Sequence, residues 1–250
     1  YTLQGGTVAA NLGAGTANVT LGNTLLNGLL GAAAVNIDSG SLILAGANRL
    51  AGGATVTLGG GTLDSGANAT AVTTLQLNSG VVTGAGLLTA TTYNLVTGEV
   101  AGALGAGTAN VTGAVSLTGT TAATTLSITT GGVLTLGSAE RIGGTTLLGV
   151  NAGELALGAF DNTVGGLTLQ GGGLLSGTGT LTAATYALQG GTVTANLGAG
   201  TATVTLGNTL LNGLLGAATV DINSGSLMLG GANRLAGGAT VTLGGGTLDS

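Results

Sequence analysis

Leu42-Ile-Leu-Ala-Gly-Ala-Asn-Arg-Leu50 carries the pattern that decides how this chain folds. A short aliphatic strand runs into a Gly-containing corner with one or two polar residues, and an aliphatic residue then re-enters. The same grammar returns in Leu63-Asp-Ser-Gly-Ala-Asn-Ala-Thr-Ala-Val72, Leu134-Thr-Leu-Gly-Ser-Ala-Glu-Arg-Ile142 and Leu155-Ala-Leu-Gly-Ala-Phe-Asp-Asn-Thr-Val164. Between corners the chain alternates with period two, as in Val35-Asn-Ile37, Val56-Thr-Leu58, Leu75-Gln-Leu77 and Leu167-Thr-Leu169. Aliphatic side chains therefore take one face of each strand, and Thr, Ser, Asn or Gln the other. No window sustains the i, i+3, i+4, i+7 stripe of a helix, so helix content is expected to be close to nil. Gly-Gly, Asn-Gly and Ser-Gly pairs punctuate the strands.

A longer period lies above this one. Residues 1–65 return at 186–250 with 57 of 65 positions identical, and Leu12-Gly-Ala-Gly-Thr-Ala-Asn-Val-Thr20 reappears as Leu104-Gly-Ala-Gly-Thr-Ala-Asn-Val-Thr112. These periods, of 185 and about 92 residues, divide the chain into unit A (1–92), a divergent unit B (93–185) and a partial second copy of A (186–250). The expectation is one continuous solenoid and a window on a longer chain.

Short strands at a fixed spacing suit a β-solenoid or a propeller, and propeller blades need about 40–50 residues with aromatic signatures that are missing here. The recognised corners recur every 20–26 residues. The expected fold is thus all-β: a parallel β-helix of about 23 residues per rung, with four rungs in each 92-residue unit. One rung cannot bury its own aliphatic face, whereas a stack can.

Composition narrows the function. The chain has 54 Gly, no Pro and no Cys, and aromatics make up only 2 % of it. Its 44 % hydrophobic and 4 % charged content lies far from that of disordered chains. The core must come from Leu, Val, Ile and Ala. Three Arg and no Lys cannot neutralise a nucleic-acid backbone or an anionic membrane. The longest apolar stretch, Leu25 to Val35, contains Asn and Gly and is too short to span a bilayer. Neither nucleic acid nor membrane insertion is therefore expected.

The ionisable residues are few enough to weigh singly. Arg49, Arg141 and Arg234 mark the same corner once per unit. They suit a row of guanidinium groups for an acidic ligand, but a corner Arg bonding to carbonyls, or to Glu140 or Asp161, explains them more simply. Asn36 and Asp38 become Asp221 and Asn223 in the later copy, exchanging places across an Ile. A catalytic or metal-binding carboxylate should not wander in this way. Asp64 and Asp249 sit in Thr-Leu-Asp-Ser turns, where Asp bonds local backbone, and Glu99 and Glu154 lack a second acid nearby. With no His, most general-base and metal schemes fall away. The chain is expected not to be an enzyme and to carry no catalytic, metal or cofactor-binding residues and no cofactor. Tyr1, Tyr93 and Tyr186 recur once per unit and suit a core or corner-bracing role better than a binding row. Asn18, Asn68 and Asn110 open glycosylation sequons of the kind that arise readily in an Asn- and Thr-rich chain. Thr55-Val-Thr57 and Thr240-Val-Thr242 fit an ice-binding ladder, but consecutive rungs do not keep the pattern.

Leu167-Thr-Leu-Gln-Gly-Gly-Gly-Leu-Leu-Ser-Gly-Thr-Gly-Thr-Leu-Thr182, followed by Tyr186-Ala-Leu188, resembles large bacterial exoproteins. These are the filamentous-haemagglutinin-type two-partner secretion proteins and the autotransporter-associated β-strand repeats. Gly46-Ala-Asn-Arg-Leu-Ala-Gly52 and Gly59-Gly-Gly-Thr-Leu-Asp-Ser65 strengthen the likeness, which covers essentially the whole chain. The resemblance implies a right-handed parallel β-helix exported unfolded to the cell surface through an outer-membrane secretion partner. It carries no functional residues onto this chain. The expected role is a structural component of an extracellular bacterial filament, whose partner is itself through end-to-end or lateral packing. The alternative is a cell-surface adhesin that grips glycans or partner surfaces along one face.

Overall fold

The computed structural model describes all 250 residues, Tyr1–Ser250. It contains 27 strands and no helix, so no helix is long and apolar enough to cross a membrane. Strands pair in parallel with the turn before and the turn after, as Thr16–Val19 does with Ala34–Ile37 and Thr185–Leu188 with Thr201–Val204. The strands stack in about 14 turns of about 18 residues, a parallel β-solenoid.

Each turn is built from three contact segments. In the turn that begins at Thr16, the first strand is Thr16–Val19 and the second Asn23–Leu26, and Leu30 makes a one-residue bridge. The bridges continue from Leu12 through Leu30 to Leu50, and likewise from Leu197 through Leu215 to Leu235.

The chain forms two compact units, residues 1–123 and 124–250. In the first unit one inward column runs Leu3, Val19, Ile37, Leu58, Leu77, Leu95 and Val111. In the second it runs Ile128, Val150, Leu169, Leu188, Val204, Ile222 and Leu243. All of these except Leu243, exposed in the last turn, are buried. Each buried Leu, Val or Ile contributes about 1.5–3 kcal/mol relative to exposure. The second strand adds its own ladder, Leu42–Leu63–Val82–Val100–Leu117 in the first unit and Leu134–Leu155–Leu175–Val193–Leu211 in the second.

This register corrects the expected rung length. The column from Leu3 to Leu95 passes through Val19, Ile37, Leu58 and Leu77, so each 92-residue repeat holds five turns rather than four. Turn lengths vary, which explains the misreading. Ile37 to Leu58, the turn with the Arg49 corner, is among the longest, while Leu95 to Val111 is among the shortest. Other turns use compact corners such as Asn27-Gly28, without the charged residue that marks the Arg corners. Only the long turns announced themselves in the sequence.

Corner glycines permit the tight stacking. A Cβ at Gly28 would collide with the backbone carbonyl of Ala10, and one at Gly213 with that of Ala195. Successive corners therefore pass so closely that no side chain fits between them.

Candidate functional surface

The Arg corners are turn structures. The residue before each Arg adopts a left-handed conformation, with φ of 51° at Asn48, 53° at Glu140 and 57° at Asn233. Asn tolerates this region better than most residues. The Arg49 guanidinium folds back over Gly46, where a Cβ would stand only 2.7 Å from its Nε, and Arg234 lies similarly against Gly231. Arg141 donates from Nε to the carbonyl of Ala139 at 3.0 Å. Arg141 thus ties its corner to a carbonyl, while Arg49 and Arg234 each keep a buried Nε without a partner.

Five of the eight carboxylates are also committed locally. Asp64 accepts from the N–H of Gly66 at 2.7 Å, and Asp161 from that of Thr180 at 2.7 Å. Glu140 accepts from the N–H and the hydroxyl of Thr163 at 3.1 and 3.2 Å. Glu99 and Glu154 take hydroxyls from the next turn, Thr118 and Ser176, each at 2.5 Å. No three acidic residues come together where they could hold a metal ion.

Tyr93 and Tyr186 are buried, each stacked beneath an alanine of the next turn, Ala109 and Ala202. The Tyr93 hydroxyl accepts from the N–H of Ala90 at 2.8 Å and faces the carbonyl of Leu88 at 3.0 Å. Tyr186 repeats this with Ala183 at 2.9 Å and Leu181 at 3.1 Å. Burial raises the pKa of both phenols, because the charged form would lose its hydration. The rings fill core and brace a corner together. Tyr1, in the first turn, is 46 % exposed.

One buried polar residue stands in for backbone. Asn162 occupies the bridge column that most other turns give to Leu, and it pairs with Leu181 of the next turn. Its carboxamide accepts from Ile142 N–H at 3.0 Å and donates to Ile142 C=O at 3.2 Å, so its burial is satisfied.

What the sequence reading missed is the outer face of the first strand. In the first unit two outward columns lie side by side. One runs Thr16, Ala34, Thr55, Thr74, Thr92, Thr108, and the other Asn18, Asn36, Thr57, Gln76, Asn94, Asn110. The carboxamide of Asn36 donates to that of Asn18 at 2.8 Å, and Asn110 to Asn94 at 3.4 Å, tying turns together along the rank. The second unit keeps a run of Thr185, Thr201, Thr219 and Thr240. Below that run the ladder fails. Gly149, Gly166 and Ala187 floor a shallow dimple of about 210 Å³, walled by Leu147, Thr168 and Thr185. Leu147 is 59 % exposed there. The signal for both features was present in the sequence, but only the true turn length brings it into register.

The class of protein that this geometry defines is the parallel β-solenoid, with its chemistry on the outer faces and none organised inside. Compared with family models, curated proteins and solved structures, the chain matches none.

Proposed function

We propose that this chain is a structural segment of an extracellular bacterial filament, supplying length, stiffness and surface display, without enzymatic activity or a cofactor. One observation carries the reading. Copies 1–65 and 186–250 differ at eight positions, and none of them is an inward core position. Thr2, Asn18, Ala34 and Asn36 change on the outer face of the first strand and Ile43 on that of the second, while Ala9, Asp38 and Ala45 change in loops and corners. An enzyme would hold its reactive side chains constant, whereas Asp38 gives way to Asn223 and Asn36 to Asp221 between the copies, and a mechanical element needs only its stack.

The likeness of Leu167–Thr182 to bacterial exoproteins supports export to the cell surface through an outer-membrane secretion partner. The low charge and the Thr-, Asn- and Gly-rich faces support packing of the chain against copies of itself. Electron microscopy of the purified protein tests this: fibres or laterally packed bundles are expected, and a population of compact monomers alone would overturn it. The dimple at Leu147 favours a second reading, an adhesin with a local site. An array of glycans should then bind the native chain and release a variant with Gly149 and Gly166 filled by Thr, whereas a purely mechanical segment would bind none.

A further inference from the structure

We propose that the outer face of the first strand in residues 16–110 binds ice. With the turn length corrected, Thr55, Thr74, Thr92 and Thr108 stand directly above one another in consecutive turns, and Thr16 continues the rank beyond Ala34. Beside them runs the rank of Asn18, Asn36, Thr57, Gln76, Asn94 and Asn110. Neighbouring strands set one repeat of this array at about 4.8 Å, and alternate residues along a strand set the other at about 6.6–6.8 Å.

An ice surface is a neutral lattice of water oxygens that repeats in two directions. Its ligand must be rigid, uncharged and periodic in both. The twelve positions carry no ionisable side chain. Threonine is stiff at χ1, and the paired carboxamides of Asn18 and Asn36 are already held by each other at 2.8 Å. Little side-chain freedom therefore remains to be lost on binding. Each Thr offers a methyl that excludes liquid water beside a hydroxyl that holds a water in place. No aromatic ring on this face offers a sugar a stacking surface, which separates it from a glycan reader. The second unit fits less well, since Asp221 adds a charge and Leu147, Gly149 and Gly166 break the ranks.

The test is ice recrystallisation together with partitioning into a slowly grown ice front, using the purified chain. The native protein should stop grain growth and enter the ice. Thr74→Lys with Thr92→Lys should raise the concentration needed by about tenfold or more, because an array of weak contacts loses avidity when its centre is broken. Thr62→Lys, on the second strand of the same stack, should match the native protein. Far-UV circular dichroism and thermal midpoints would show that each variant is folded. Grain growth like that with an inert protein at equal concentration would overturn the proposal. So would full activity in the folded double variant, or an equal loss in Thr62→Lys.

Discussion

Residues 55–95 and 147–188 occupy corresponding turns of the two 92-residue repeats, and they differ on one side only. Inside, Val56, Leu75 and Tyr93 in the first region correspond to Leu148, Leu167 and Tyr186 in the second. Leu58, Leu77 and Leu95 likewise correspond to Val150, Leu169 and Leu188. Outside, Thr55, Thr74 and Thr92 give way to Leu147, Gly166 and Thr185, and Thr57, Gln76 and Asn94 to Gly149, Thr168 and Ala187. One region presents a filled polar ladder and the other a dimple. Stacked parallel strands demand volume and apolarity at the inward positions and ask of the outward ones only that they leave the backbone pairing intact. The interior sets the fold, and the exterior is free to specialise.

The sharpest way to break this comparison is to exchange the sides of one pair of turns. Leu169→Ala, at an inward position with no exposure, should cost about 2–5 kcal/mol. Leu147→Ala, which is 59 % exposed in the adjoining turn, should change stability by no more than about 0.5 kcal/mol. Urea denaturation followed by circular dichroism measures both, and equal effects would end the inside–outside distinction.

The tyrosines come next, one in each region. Phe at Tyr93 or Tyr186 keeps the ring but leaves the N–H of Ala90 or Ala183 without its partner, a loss of about 1–3 kcal/mol. Because the folded chain holds these phenols protonated beyond the ordinary pKa of about 10, the unfolded chain releases its protons first. Their contribution is present in full below about pH 10 and declines as pH rises from there through the raised folded values. Thermal melts between pH 8 and 12 should show that decline, and the double Phe variant should flatten it.

A smaller and opposite effect is expected from filling the dimple. Gly149 and Gly166 have backbone angles that other residues adopt, and a Cβ at Gly149 meets nothing closer than 4.0 Å. Thr at Gly149 should raise stability by about 0.5–1 kcal/mol, as a flexible glycine leaves a strand, and Thr at the buried Gly166 by less, because its Cβ would stand 3.1 Å from the Thr185 hydroxyl oxygen. A fall in the thermal midpoint would show instead that the small residues are required by the stack. The smallest change should follow Asp221→Asn, which restores the residue found at the matching Asn36. Less than about 0.5 kcal/mol is expected in the same urea titration, and more would mark that outward site as structurally committed.

Much of this was legible beforehand, and unevenly. The all-β stack, the parallel strands, the near absence of helix and the aliphatic column followed from Val56-Thr-Leu58 and its many counterparts. The buried Tyr93 and the bond from Arg141 to a carbonyl followed as well, whereas the buried, unpartnered Nε of Arg49 did not. The turn length was not legible, because corners like Asn27-Gly28 carry no charged residue while the Arg corners do. With the turn length went the register, and with the register went the Thr rank and the dimple. Asn162 was hidden for another reason: a buried Asn whose carboxamide replaces a backbone bridge looks, in sequence, like any corner Asn.

Sequence by itself determined what lies inside this protein, because period-two alternation assigns each residue a side and an aliphatic ladder needs only residue type. Only the tertiary structure decided which residues stand above one another. Vertical register depends on how many residues each corner takes up, and turns as unequal as Ile37 to Leu58 and Leu95 to Val111 keep the same inward column.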